Sequence, residues 1–413
     1  MRRVVVTGMG VVTPLGNTLT ELWSNLLSGV SGVTKLTADD INDLDQTDVK
    51  IGGKVSIDPE IMKNLPFAKN KQNAMAFSAA SSALEDAKWN PNSEAEKERT
   101  GVIMGATKSH LSPAVYTVEQ VLKGGLRSVP NLYHSHLSIF GTTDNVVKKF
   151  GFKGPTSGYS SACAAGSCSL AEAFWTVRCD EADVVVAGTS DNGIHNYLLS
   201  GLSRLGALNK RANDRPQTAS CPFDIKRDGF ISADGAGCLI LEDLNHALSR
   251  NAYIYGELKG VSLCSESFHP SRPHPEGEGI TRTMRRALEI AELEPKDVDL
   301  IHAHGTSTIE GDISEIIAIN NVFGTTKPAI ISAKANYGHM MAGVGAIQSA
   351  VLLLCIKNSM IPPLINLKNP VQVGNIELDY VLEPRAKEVN AGITNNAGFG
   401  GLNCSLVFSK YKQ

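Results

Sequence analysis

Two cysteines five positions apart, Cys163 and Cys168, stand in the stretch SGYSSACAAGSCSLAEAF (157–174) among serine, alanine and glycine. Such a pair can hold a metal, pack a close helix contact, or present a reactive thiolate. C-x4-C spacing with no second cysteine pair at a zinc-finger distance argues against structural zinc. On one helix the two residues lie about 140° apart around the axis, which also places them poorly for a mutual disulfide. The thiolate reading has a physical basis. GPTSGYSSA (154–162) is strand and turn in character, and CAAGSCSLAEAFWTV (163–177) has the small residues of a closely packed helix. Cys163 then stands at a strand-to-helix junction, where backbone N–H groups and the positive helix end stabilise an anion and lower a thiol's pKa. An isolated cysteine is more often an inert buried residue. Cys168, one turn deeper beside serine and leucine, fits that description.

Two further stretches have groups that could serve a thiolate. HAHGTSTIEGD (302–312) places His304 at a strand end, followed by the hydroxyls of Thr306, Ser307 and Thr308. SAKANYGHMMAG (332–343) places Lys334 and His339 five apart around a strand end and a turn. Ligands and catalytic groups of α/β sheets gather at such strand ends. His302 and His304 alternate along a strand and could face one metal, but a third ligand is not evident. GMGVVTPLG (8–16) starts like a dinucleotide loop, yet Thr13 replaces the third glycine and no Walker sequence exists, so nucleotide binding is rejected.

The elements that must position these groups follow from hydrophobic patterning. Short β-branched runs alternate with longer helical patterns, which reads as an α/β architecture. Strands are expected at 3–8, 100–106, 183–190, 237–243, 298–305, 329–335 and 404–409, and helices at 68–88, 163–179, 279–293, 312–323 and 341–357. SESFHPSRPHPEGEG (265–279) is a loop. ALEDAKWNP (83–91) and ALEIAELEP (287–295) agree at five of nine positions, and each leads to a strand that opens into a glycine-containing loop. Chance is the plain alternative, but the common order of elements points to two halves of like topology.

Composition sets the remaining bounds. A chain of 413 residues with 42% hydrophobic and 20% charged residues can bury a large core. A formal net charge of −3 argues against a nucleic-acid binder working through a general basic surface. The apolar run behind MRR is too short for a signal peptide, and AVLLLCI (350–356) is too short to span a bilayer. Eight scattered cysteines without a secretion signal favour reduced thiols in a cytoplasmic setting.

Taken together, VVVTGMGVVTPLG, SSACAAGS, RPQTASCPFDIKRDGFISADGAG (215–237), AHGTST, SAKANYGH and the closing NNAGFGGLNCSLVF resemble the β-ketoacyl-acyl carrier protein synthases of the thiolase superfamily. The layout is most similar to synthase II and to ketosynthases of type II polyketide systems, and the match covers essentially the whole chain. The resemblance implies a duplicated five-layer α-β-α-β-α fold, with residues 1–250 carrying the nucleophile and 251–413 the two histidines. It implies that Cys163 accepts an acyl group from the phosphopantetheine arm of an acyl carrier protein. A malonyl thioester then loses CO2 and attacks the acyl-cysteine, with no other cofactor and no metal. By the same resemblance His304 and His339 stabilise charge on the malonyl thioester oxygen. Lys334 orients the site, and Glu315, of the acidic pair Asp312 and Glu315, supports Lys334. The backbone N–H groups of Cys163 and Phe399 would form an oxyanion hole, Phe399 would gate the channel, and Thr306 and Thr308 would bond the pantetheine arm.

Departures from the family pattern cluster around the acyl pocket and gate. His302 stands where asparagine is usual, Thr107-Lys108-Ser109 where glycines are usual, and Leu402 where the family has threonine. Glu266 replaces an aspartate ahead of His269, and Leu202 stands where a pocket-lining phenylalanine is common. These changes favour a specialised polyketide or polyene pathway over housekeeping fatty-acid elongation. A non-catalytic chain-length-factor subunit is disfavoured by the intact Cys163, His304 and His339, and a thiolase by the second histidine. The family dimer could be a homodimer or a pairing with a chain-length-factor paralogue. Carrier proteins are acidic, so Lys63, Lys69, Lys71, Lys210 and Arg211 are candidate docking groups; no partnership with nucleic acid or membrane is expected.

Overall fold

The computed structural model of the chain describes residues 1–65, 70–107, 111–131 and 138–412. Eleven strands form the main sheet: β1 (Val4–Val12), β2 (Thr100–Gly105), β3 (Thr156–Tyr159), β4 (Val184–Asp191), β5 (Gly235–Asp243), β6 (Gly256–Ser265), β7 (Leu300–His302), β8 (Ala329–Ile331), β9 (Asp379–Tyr380), β10 (Ala391–Gly398) and β11 (Leu402–Ser409). Their order is β9-β8-β7-β10-β11-β6-β1-β5-β4-β2-β3. Outward from its middle, β1-β5-β4-β2-β3 runs antiparallel, antiparallel, parallel, parallel, and β6-β11-β10-β7-β8 repeats that sequence of directions. Within the sheet, among the described residues, the two halves are joined by three residue pairs, Val4 to Val6 against Leu258 to Gly256.

Five helices complete the layers: α1 (Lys71–Ala87), α2 (Ala165–Arg178), α3 (Glu278–Ala291), α4 (Ile309–Phe323) and α5 (Val344–Asn358). α1 packs on β1, β4 and β5, and α3 on β6, β10 and β11, each from outside. α2 and α5 pack on each other and on strands of both halves, so they form the middle layer of an α-β-α-β-α stack. A helix in that position has no solvent face, which is why α5 is apolar all round and buried along almost its whole length. The helix Met341–Asn358 is long and apolar enough to cross a membrane, but 89% of it is buried inside the protein.

The internal similarity has a packing counterpart. A Cβ on Gly8 of β1 would lie 2.3 Å from Ala83 O and 2.6 Å from Ala87 Cβ. On Gly260 of β6 it would lie 2.1 Å from Ala287 O and 2.8 Å from Ala291 Cβ. Glycine at both strands and alanine at both helices allow the same close helix-on-strand approach, and both helices end on a left-handed residue, Lys88 or Glu292. Two expected strands are shorter than their β-branched runs. The run at 298–305 ends at His302 and that at 329–335 at Ile331, because His304 and Lys334 leave the sheet plane to enter a buried polar cluster.

Candidate active site

Cys163 stands two residues ahead of α2 in a turn closed by Ala164 N donating to Ser161 O and Ala165 N to Ala162 O. Ala162 has φ 46°, a left-handed conformation that costs a non-glycine residue about 1–3 kcal/mol and recurs where geometry is imposed by function. The helix begins at Ala165 rather than at Cys163, so the thiol is presented from the turn with the helix amides behind it. Cys163 is 6% exposed, at the wall of a cavity of about 410 Å³. Cys168 is buried in the central core, packed as expected of a spacer.

The opposite wall comes from the C-terminal half. The His304 and His339 rings meet edge to face, with centroids 5.5 Å apart, and Phe230 packs edge-on to His339 at 5.0 Å. His339 is clamped by its backbone, its N–H donating to Ile231 O at 2.6 Å and its carbonyl accepting from Ala233 N at 3.0 Å. His304 is clamped through Glu315 on α4, whose two carboxylate oxygens accept from His304 N and Gly305 N at 2.7 Å each. Asp312, one turn earlier on α4, accepts from Thr306 N, Ser307 N and Phe223 N. That fixes the loop on which the Thr306 and Thr308 hydroxyls bond each other at 2.9 Å beside the cavity. Lys334 Nζ donates to His304 O at 2.5 Å and to Gln348 Oε1 at 3.0 Å.

Electrostatics follow from burial. Burial, then the Lys334 charge, holds His304 and His339 well below the ordinary histidine range, so both imidazoles are neutral at neutral pH. Burial pulls Lys334 down to about 7 against the raising influence of Glu315. Burial likewise pushes Asp312 up to about 7 and raises Glu315. Glu315 thus acts on Lys334 by charge, while its hydrogen bonds hold the His304 backbone.

Phe399 closes the cavity from the turn between β10 and β11. It is 39% exposed and followed by Gly400 and Gly401, both at positive φ. A Cβ on Gly398 would lie 2.9 Å from Ser161 O, so this strand end rests directly on the Cys163 turn. Gly400 N donates to Pro270 O and Glu266 N to Gly401 O, which ties the turn to the 265–279 loop. Glu266 also accepts from Asn403 Nδ2 and His274 N.

The chain's kinship accords with this geometry. Family models described as "Beta-ketoacyl synthase, N-terminal domain" and "Beta-ketoacyl synthase, C-terminal domain" match residues 1–247 and 255–368. The chain belongs to the β-ketoacyl synthase family. It is 34% identical over 415 residues to 3-oxoacyl-(acyl-carrier-protein) synthase 2 of Coxiella burnetii, covering 99% of each chain. It is equally 34% identical over 417 residues to the enzyme of that name in Staphylococcus aureus (strain COL), covering 100% of this chain and 99% of the relative. Among solved structures it superposes with a TM-score of 0.91, at 30% identity and full coverage of both chains, on a type II PKS acyl-carrier protein in complex with its ketosynthase bound to the hexaketide. The ishigamide ketosynthase/chain length factor gives 0.90 at 28% identity, again with full coverage. The protein is a condensing acyltransferase.

Several expected groups fall elsewhere in the synthase. Leu202 packs against the apolar cluster of Cys163, Leu199, Leu208, Phe230 and Met341 and does not line the cavity. Lys108 and Lys69 lie outside the described residues. Lys71 is no rim group: its ammonium is 2.6 Å from the fully buried Asp234 carboxylate, a pairing that holds it at a second cavity. Lys63 pairs with Glu60 and Lys210 with Asp48, whereas Arg211 is 83% exposed beside Asp228 of the cavity mouth. His302 and His304 take different partners, Gln348 and His339. Sequence reasoning missed Phe230, Arg272 at the mouth, Asn396, which bonds Ser167, and Gln348. Phe230 and Asn396 lie within family-like blocks that gave them no individual role, and Arg272 lies in the 265–279 loop.

Proposed function

We propose that the synthase carries out a decarboxylative Claisen condensation on carrier-bound thioesters, as the ketosynthase of a type II polyketide or polyene pathway. In the first half-reaction the Cys163 sulfur attacks the acyl thioester carbonyl. The carrier's thiol leaves with the proton, and the acyl group stays on Cys163. In the second, the malonyl C–CO2⁻ bond breaks, CO2 departs, and its electron pair forms an enolate. The neutral His304 and His339 N–H groups stabilise the thioester oxygen as charge builds on it. The enolate carbon attacks the acyl-cysteine carbonyl, whose oxygen meets the Cys163 and Phe399 amides, and the Cys163 thiolate is expelled. Both halves act: residues 1–250 bring the nucleophile and 251–413 the histidines. No cofactor beyond the phosphopantetheine-borne thioesters enters this sequence.

The observation that carries the reading is a neutral, edge-to-face histidine pair sharing one cavity with Cys163. Two buried imidazolium cations would repel each other and the Lys334 charge, whereas the neutral rings donate their N–H groups without that cost. Leu202, where a pocket-lining phenylalanine is common, supports the polyketide reading. Fatty-acid elongation is the second reading, supported by the relatives named synthase 2. The acyl carrier protein is the partner, with Arg211 and Arg272 at the mouth as docking groups. The dimer is formed with a second copy or a chain-length-factor paralogue, in a cytoplasmic, thiol-reducing setting.

Intact-mass analysis of the protein offered a panel of acyl-carrier thioesters, followed by malonyl-carrier protein, tests this. Expected are an acyl adduct absent from Cys163→Ala, then CO2 and a β-ketoacyl product. Folded protein with its dimer partner present that yields neither CO2 nor product would end the proposal.

A further inference from the structure

Gln348 has no place in the chemistry above, yet it is fully buried and bonded at both ends of its amide. It lies on the second turn of α5, against the end of β7. Lys334 Nζ donates to its Oε1 at 3.0 Å. Its Nε2 is 2.8 Å from His302 Nδ1 and donates to Ala303 O at 3.0 Å. An ammonium can only donate, so the amide oxygen must face Lys334. The amide nitrogen then donates to His302 Nδ1, which leaves the ring proton on Nε2. Burial holds His302 at about 3, so the ring is neutral and keeps that role. The chain of bonds from His302 through Gln348 to Lys334 therefore runs in one sense, and ends where Lys334 meets the His304 carbonyl.

We propose that Gln348, oriented by His302, is a positioning residue: its uncharged carbonyl anchors Lys334 against His304 without adding a charge to the site. The groups facing Lys334 are Glu315 and Asp312 from α4, Cys163 ahead of α2, His302 and His304 from β7 and its end, and His339 ahead of α5. Among them burial dominates and leaves Lys334 close to neutrality. A carboxylate in place of the Gln348 amide would hold Lys334 charged, because an opposite charge that near moves a pKa by about 1–3 units. A side chain of similar volume with no acceptor would do the reverse. The charged form of Lys334, which donates to the His304 carbonyl and the Gln348 oxygen together, is taken as the working one, so condensation slows as pH rises through its titration.

The inference rests on the condensing reading and is tested within it. The enzyme, with its dimer partner, is acylated at one fixed pH and then mixed with malonyl-carrier protein at pH 6 to 9 in single turnovers, so that titration of Cys163 does not enter. Gln348→Glu should carry the alkaline limb up by about 1–3 pH units. Gln348→Met should carry it down, and slow the turnover at pH 8 by roughly tenfold to a hundredfold, the worth of one hydrogen bond to a charged group. Opposite displacements are what a purely structural role would not give. Folded variants, by circular dichroism and melting, whose limbs coincide with wild type or move the same way overturn the proposal. If Gln348→Glu does not fold, the direction of Gln348→Met alone decides. A wild-type enzyme that makes no product counts against the condensing reading instead.

Discussion

Replacing Glu315 by glutamine is the sharpest test of how the site is held. The side chain keeps its volume and its place on α4, is 2% exposed, and loses only charge and one acceptor oxygen. In the native site both oxygens are used, one on His304 N and one on Gly305 N, each at 2.7 Å. A carboxamide can satisfy one of these; its NH2 must then face the other amide, donor against donor. Weakening one charge-assisted bond costs about 1 kcal/mol, and an orphaned buried N–H about 1–3 kcal/mol. Relief of the repulsion between Glu315 and Asp312 offsets part of this. The net expectation is a loss of about 2–3 kcal/mol of stability at pH 7. The same amide anchors the His304 ring, and a misplacement on the order of 1 Å costs about 100-fold in rate. Acylation of Cys163 draws on the other wall, so it should stay near wild type. Urea unfolding supplies the first number, and single-turnover acylation and condensation the second. A variant as stable as wild type within about 0.5 kcal/mol, or one in which acylation falls as far as condensation, would refute the reasoning.

The remaining expectations concern the nucleophile, the histidines and the middle layer. Cys163→Ala should show no acyl adduct by intact mass, whereas Cys168→Ser should keep it; an adduct surviving in Cys163→Ala would move the nucleophile elsewhere. Because His304 and His339 titrate well below 6.5, the single-turnover condensation rate should show no histidine limb between pH 8 and 6. Stability should respond instead. Below about 6.5 the unfolded chain takes up protons that the buried histidines refuse, so each lowers stability by at most about 1.4 kcal/mol per pH unit as pH falls. Asp312, raised to about 7, works in the opposite direction. His302→Asn should therefore lose less stability than wild type between pH 7 and 5.5, and equal losses in urea titrations would contradict the buried-neutral assignment. Gly345→Ala puts a Cβ 2.4 Å from Ser167 N. It should lower stability by about 1–3 kcal/mol and slow acylation, and an unchanged melting point would argue against a rigid contact there.

What the sequence disclosed depended on how each residue announces itself. The Cys163 turn was legible because serine, alanine and glycine around a cysteine, after a strand-and-turn stretch, suit a closely packed helix entry. His304 and His339 were legible because they follow β-branched runs. β6 and β10 were not anticipated. β6 carries Glu257 and Lys259 on a strand that also pairs with β1, and β10 carries Thr394, Asn395 and Asn396. Asparagine is depleted in strands, but here the amides are taken up inside: Asn395 Oδ1 accepts from Ser405 Oγ, and Asn396 Nδ2 donates to Ser167 Oγ. Gln348 was invisible for a related reason. In a helix apolar on every face, one polar residue has no periodicity to stand out against, and its meaning lies in the lysine fourteen positions earlier. Lys71 misled in the other direction, because nothing local marks a surface-looking lysine as the partner of a buried aspartate.

The duplicated order of strands explains why the site lies where it does. In each half the central-layer helix follows an edge-side parallel strand, α2 after β3 and α5 after β8. Three residues before each helix start stands a non-glycine residue in the left-handed region, Ala162 at φ 46° and Met341 at φ 50°. The two helix starts touch through one glycine each. A Cβ on Gly166 would lie 3.2 Å from Gly345 Cα, and one on Gly345 2.8 Å from the Gly166 carbonyl carbon. The same strained turn is thus used twice and brought together at one point between the halves. In the first copy it presents a thiol, Cys163, immediately after the strained residue. In the second the matching position is Ala342, and the reactive side chain, His339, comes two residues before the strained one. Two helix N-termini converging on one spot make it favourable for negative charge. That is what a thiolate, a tetrahedral oxyanion and an enolate have in common. A duplicated scaffold that forces this convergence supplies the electrostatic setting first, and the choice of cysteine on one side and histidines on the other turns it to carbon–carbon bond formation.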